Sequence, residues 1–563
     1  MSQIDHANDT RLKLAEKLKE EGSTLFSKQK YGPAAKKYTE AIAIDNANPI
    51  LYANRSACRL KLKQYLDAVA DATKAVELNP NYAKAYARIA AAREALGQGR
   101  LSKVAWQKAL EALPSDNLTE GEITQKKQYE VKLAAVSKAC EEQDEDDRQH
   151  TSRMKIPPQD ATPWRCALGM LPELRRDQNF HSSVRRLFTS QPPVTILMHY
   201  GSQAWLIAQA YREFERGTQM MMEMQVGSNN MVNVNLGALE LISNAVTYDP
   251  RVFHVPNPSW LPKFNQQVMA ESQLRNAWTL DGPDKVFQEA ENRLLEKGWD
   301  DVRPAVSTTV RCWILRGLLE GGLRSNHIAE VEYLNRAIEV IEWGRKVWKD
   351  VDASLRGAIF RDTFLRGVKK LHMDALMQAC HQEQDPEVRS RLFDEMVQEA
   401  DAIIKDVDSE LIPPRENDPS FAEAYYYYPR AVSQSVKAFC YRERSQSTSD
   451  QQESDSLLMK AAQAYIDAAK DFPEDEEKYA AFLNGALENI MRAGAPVKTQ
   501  LQLMKELRAA LSRIQKIWGN SASAVSGRDG IIKRNLQYEP QLRQLLAKGT
   551  VTQEDRYRWS PAD

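Results

Sequence analysis

Small, aromatic and helix-ending residues return along the amino-terminal part of the chain at a constant interval of 34 positions. Ala41, Ala75 and Ala109 form one such column, and Ala34, Ala68 and Ser102 another. Tyr38, Ala72 and Trp106 form a third, Leu18, Tyr52 and Tyr86 a fourth, and Asn46, Pro80 and Pro114 a fifth. A period of this size marks stacked supersecondary units, none of which buries its apolar face alone. Within each unit, small side chains let two antiparallel helices approach, an aromatic fills the gap, and Asn or Pro closes the second helix. The pattern predicts units over residues 15–48, 49–82 and 83–116. The polar stretch that follows predicts a helix and an acidic linker over 118–150, giving the last unit a solvated outer face.

Beyond residue 155 the apolar positions keep a helical period but lose the fixed interval. Amphipathic stretches such as AWLIAQAYREFERGTQMMMEMQ and FNQQVMAESQLRNAW predict helices. Helix is also expected over 219–236, although Val and Asn alternate there. Echoes of the repeat survive: Trp313, Gly317, Ala329 and Tyr333 fall at matching phases of one hairpin, and Ala461, Tyr465, Ala468 and Pro473 at those of another. The expectation is an all-α chain, with a helical middle region over 155–310 and a divergent, solenoid-like helical region over 311–545. The Ser-, Gln- and Asp-rich segment 442–456 is expected to be an exposed loop. In YYYYPR, residues 425–430, four rings cannot all face one core. Either one tyrosine edges a groove or contact, or all four are spread around a half-buried helix ending at Pro429.

Composition adds a charge asymmetry. The net charge of the 563 residues is −1, which argues against general nucleic-acid binding. Arg11 to Pro114, however, holds 19 basic against 10 acidic residues, so the repeats suit an acidic partner and the remainder carries the compensating negative charge. Six scattered cysteines without close pairs predict neither a disulfide framework nor a zinc site. No signal peptide or membrane span is expected, and a cytoplasmic location follows.

Lys19 and Ser23, Asn54, and Lys84 and Arg88 fall on the first helices of the three units, the paired residues four apart and therefore on one face. In LKEEGSTLF, LYANRSACRLKLKQY and YAKAYARIAAAREALG the segment 11–117 resembles the tetratricopeptide repeat (TPR) domains of co-chaperones of the Hop and small glutamine-rich types. The resemblance implies a three-repeat superhelix, which the capping helix closes; it does not extend to 311–545, where only the repeat echoes make the region TPR-like. It further implies a groove that grips the free carboxylate of an acidic Glu-Glu-Val-Asp peptide, the tail of the cytosolic seventy- and ninety-kilodalton heat-shock chaperones. Lys19, Asn54, Lys84 and Arg88 match four of the family's five carboxylate-binding places. Ser23 stands where the family has asparagine, and its shorter hydroxyl puts affinity in question.

The same resemblance implies a co-chaperone-type adaptor, with residues 155–563 engaging a client or second partner. No catalytic residue, metal or cofactor is expected. The histidines, among them His199 and His372, stand in no metallophosphatase motif, and VSGRDGIIKR is a turn before a helix rather than a phosphate loop. Adjacent Cys380 and His381 point to different sides of a helix. Met220, Met221, Met222 and Met224 read as core, with a soft client-binding surface as the rival. Two further readings stay open: a scaffold whose TPR groove takes a different peptide, and an unrecognised enzyme within 155–563.

Overall fold

The computed structural model describes residues 3–114, 116, 118–153, 161–176, 202–226, 232–410 and 419–559. Among these the chain is all-α, apart from two antiparallel ladders of two residues a side: β1 (Gln225–Val226) with β2 (Val232–Asn233), and β3 (Ala495–Pro496) with β4 (Arg556–Tyr557). It divides into two compact units, residues 1–154 with 257–360, and residues 155–256 with 361–563.

The first unit opens with three helical hairpins: α1 (Gln3–Ser27) with α2 (Tyr31–Ile44), α3 (Pro49–Lys61) with α4 (Tyr65–Leu78), and α5 (Ala83–Ala95) with α6 (Gly99–Glu111). Three of the five repeated columns, those of Ala41, Ala34 and Tyr38, are what these hairpins bury. Ala34, Ala41, Ala68, Ala75, Ser102 and Ala109 are all fully inaccessible. A Cβ on Gly22 would lie 2.9 Å from the Tyr38 ring, so the small residue and the aromatic interlock. Ser56 and Ser102, each inside a hairpin, donate to the carbonyls of Ala68 and Ala90 at 2.8 Å, which satisfies polar atoms at the points of closest approach. A 34-residue helix, α7 (Glu120–Arg153), follows. Thr119 and Glu122 form a capping box at its start, and Tyr129 packs on Trp106 at 5.4 Å.

Besides short helical turns at Ala353–Arg356 and Ala358–Phe360, this unit holds four more long helices: Trp260–Leu274, Pro283–Lys297, Trp299–Arg324 and His327–Val347. The last two form the hairpin that the echo predicts, with Trp313, Ala329 and Tyr333 buried and Gly317 against Tyr333. Polar contacts tie this part to the repeats. Glu332 accepts from the Leu66 amide at 3.2 Å, Asn326 donates to the Ala95 carbonyl at 3.2 Å, and Arg336 lies 3.6 Å from Asp67. The expected division at residue 310 therefore fails: the helix Trp299–Arg324 runs through it, and 257–360 packs with the repeats rather than with the middle region.

Three expectations in the second unit are also corrected. Within 219–236 the helix Ala204–Met222 ends, and β1 and β2 form a short hairpin. The segment 442–456 is mostly helix: Tyr428–Ser447 and Gln451–Lys470 leave three residues between them, with Asp450 capping the Gln452 amide. Finally, all four tyrosines of 425–428 are buried. Tyr425–Tyr427 sit in a π-helical turn, Glu423–Tyr427, while Tyr428 opens the following α-helix and Pro429 stands in its first turn instead of ending a helix. The wider turn accommodates a proline that lacks the amide hydrogen of an α-helical bond. Neighbours surround the rings: Tyr248 against Tyr425 at 5.1 Å, Arg366 over Tyr426 at 4.8 Å and Phe472 against Tyr428 at 4.5 Å.

Candidate peptide-binding groove

Helices α1, α3 and α5 lie side by side, which brings the five sequence-predicted residues onto neighbouring elements. Lys19 is half-buried and Ser23 exposed on α1, Asn54 is half-buried on α3, and α5 carries an exposed Lys84 and a half-buried Arg88. Among the described residues Lys19 pairs only with Glu16 on its own helix, an exposed contact of little energetic weight.

Arg88 is the most desolvated of the cations. Its Nη1 is buried and meets no hydrogen-bond acceptor. Burial lowers its pKa, while the hydroxyls of Tyr82 and Tyr129 and the Cys58 thiol pull the other way. The same burial pushes the Cys58 thiol up to about 11, against the pull of Arg88. Among the described residues no carboxylate pairs with Arg88 or Lys84. A guanidinium in this state is poised for an incoming anion, because charge-assisted bonds to a carboxylate would replace the hydration it has given up.

Ser23 donates to the Lys19 carbonyl at 2.9 Å, and its Oγ lies 3.0 Å from the Tyr38 hydroxyl. Burial raises the pKa of Tyr38, while the Ser23 bond and the charges of Arg88 and Lys19 lower it. Ser23 thus meets this phenol directly, and Arg88 and Lys19 are near enough for their charges to act on it. Sequence reasoning placed Tyr38 only in the aromatic column and missed its hydroxyl.

The neighbouring arginines have a different role. Arg55 holds Asp71 with two parallel bonds at 2.9 and 2.6 Å and reaches the Thr39 hydroxyl at 3.1 Å. Arg59 joins the same carboxylate at 2.8 Å. Both are committed to fastening the second repeat, so an arginine in mid-helix is here a scaffold residue beside the candidate ligand Asn54.

The remaining candidates do not assemble. Cys380 is buried with its thiol pKa raised by desolvation, whereas His381 bonds through Nδ1 to the Met377 carbonyl at 2.7 Å and is exposed. Met221 and Met224 are core, His372 meets Glu399 at 3.2 Å, and His199 lies outside the described residues. Gly527, at a φ of 102°, is the turn before the helix Arg528–Leu536. Among the described residues no cluster of metal-ligating side chains occurs, and no helix is long and apolar enough to cross a membrane.

No family model matches the chain. Curated relatives match its amino-terminal segment. It is 44% identical over 97 residues to the heat shock protein sti1 homolog of Schizosaccharomyces pombe, covering 17% of this chain and 16% of that protein. It is 39% identical over 116 residues to the small glutamine-rich tetratricopeptide repeat-containing protein 2 of Saccharomyces cerevisiae, covering 21% and 32%. The chain therefore spans well under half the length of these relatives. A solved structure, the first TPR of Spaghetti (RPAP3) bound to the HSP90 peptide SRMEEVD, is 34% identical and covers 22% of this chain and 94% of that one, with a TM-score of 0.19. The amino-terminal segment is thus similar to segments of a heat shock protein sti1 homolog and of a small glutamine-rich tetratricopeptide repeat-containing protein.

Proposed function

We propose that the groove of α1, α3 and α5 binds the free carboxyl terminus of an acidic peptide of the Glu-Glu-Val-Asp kind, as carried by the seventy- and ninety-kilodalton heat-shock chaperones. In this reading Lys19, Asn54, Lys84 and Arg88 hold the carboxylates, and Ser23 contributes at most a weaker bond. The observation that carries it is the buried Arg88 Nη1 lacking an acceptor, on a helix packed beside the one that carries Asn54. The relatives' names support it, as does the peptide in the RPAP3 structure. The protein then acts as a non-enzymatic, cytoplasmic adaptor, its second unit engaging a client or further partner.

Calorimetric titration of the full chain with an acidic peptide ending in Glu-Glu-Val-Asp, beside its C-terminal amide, tests the reading. Micromolar binding abolished by amidation is expected. Equal binding of the amide would assign the groove to some other peptide feature, and no binding of either would remove the clamp.

A further inference from the structure

A cavity of about 240 Å³ opens in the first unit at the start of α6, away from the residues of the groove. One wall is the segment 97–101. The others come from two helices already described, Trp260–Leu274 through Leu261 and Phe264, and Trp299–Arg324 through Arg316, Leu319, Glu320 and Leu323. Its chemistry is mixed in a specific way.

On the donor side, no side chain caps the α6 amino terminus, whose first backbone amides have no partner within the helix. Arg316 stands beside it with Nε buried and without an acceptor. On the acceptor side, Glu320 is 6% exposed, with one carboxylate oxygen held by Arg324 and Oε2 buried without a partner. Gly97 makes room for that carboxylate: a Cβ there would fall 1.9 Å from Oε2. Between the two sides runs an apolar wall whose mouth exposes Leu101 and Leu323, at 44% and 42%. The lining carries three arginines, Arg100, Arg316 and Arg324, against the single carboxylate of Glu320.

We infer that this cavity captures the free carboxyl terminus of a polypeptide whose last residue is apolar. The terminal carboxylate meets Arg316 and the α6 amides, the backbone N–H of the last residue donates to Glu320, and its side chain lies on the leucine wall. A simple anion would leave the Glu320 acceptor unmatched and a simple cation would face the arginine surplus. A chain end supplies an acceptor, an adjacent donor, an apolar group and a net negative charge together. The inference is independent of the groove, because no residue is shared.

The test uses the full chain carrying Lys84→Ala and Arg88→Ala, so that the groove does not compete for carboxylates. The probes are acetyl-Ala-Ala-Leu and its C-terminal amide, followed by calorimetry. Saturable binding of the acid is expected, with at least a tenfold loss for the amide and for Arg316→Gln. Leu323→Asp, at the exposed mouth where folding is not at stake, should weaken the acid as strongly. Absence of saturable binding, equal affinity for the amide, or affinity unchanged by Leu323→Asp would each overturn the assignment.

Discussion

The Ser23 hydroxyl has one hydrogen to give, and with Lys19 O at 2.9 Å and the Tyr38 oxygen at 3.0 Å that hydrogen is already taken up within the protein. An asparagine at this place would let Tyr38 donate to the amide oxygen while the NH₂ group reached toward the ligand. Ser23→Asn is therefore expected to tighten binding of the acidic tail peptide by about 1 kcal/mol, roughly fivefold. An unchanged Kd in calorimetry would mean that position 23 does not face the bound carboxylate. Arg88→Ala and Lys84→Ala should each cost about 2 kcal/mol or more of peptide affinity, since in the proposed clamp each removes one partner of a charged hydrogen-bond cluster. Unaltered far-UV circular dichroism would separate that loss from unfolding. That the five candidates fall on the first helices of the hairpins was legible, because repeat phase dictates where in its unit a residue lies. Tyr38 was not, because its contact with Ser23 joins adjacent helices and depends on how deeply Gly22 lets the ring settle.

At the scale of elements, the three hairpin turns of the repeats share a feature the columns did not reveal. Gln29, Lys63 and Gly97 occupy the same repeat phase, and all adopt the left-handed conformation, with φ of 59, 61 and 69°. Only the third is glycine, and only there does a neighbouring carboxylate occupy the space of a Cβ. Gln29→Gly should relieve a strained turn and stabilise the protein by about 0.5–1 kcal/mol in urea denaturation. Gly97→Ala adds both left-handed strain and a clash with Glu320, and should cost about 3 kcal/mol. A Gly97→Ala loss no larger than the Gln29→Gly gain would refute the part given to Glu320. The hairpin over 299–347 was readable from Gly317 and Tyr333 because the interlock that places Gly22 on Tyr38 recurs there. The π-turn before Pro429 was not: four tyrosines in a row carry no period, and their burial depends on helices distant in sequence.

Over the whole molecule, what the sequence concealed is which segments pack together. Residues 257–360 join the repeats through Glu332, Arg336, Asn326 and Asp284, polar side chains that any reading of apolar periodicity assigns to solvent. Burying such groups leaves a mark on the pH dependence of stability. Asp67, 5% exposed with Oδ1 unpartnered, is pushed up to about 7 by burial, helped by Asp284 and Glu332 and opposed by Arg59 and Arg336. Its folded pKa lies above the ordinary carboxylate value, so the folded state holds the extra proton between about pH 4 and 7 and stability falls as pH rises through that window. In the second unit Lys370, 3% exposed and donating to the Thr247 and Tyr248 carbonyls at 2.8 and 2.9 Å, is lowered to about 7, chiefly by burial. Here the unfolded state holds the extra proton between about pH 7 and 10, so stability rises with pH there, by up to about 1.4 kcal/mol per unit. Thermal unfolding from about pH 4 to 10 should thus show Asp67→Asn flattening the acid-side fall and Lys370→Met the alkaline rise, each leaving the other limb in place. A difference between Lys370→Met and the parent that stays constant across the alkaline range would show that the buried ammonium exchanges no proton on unfolding.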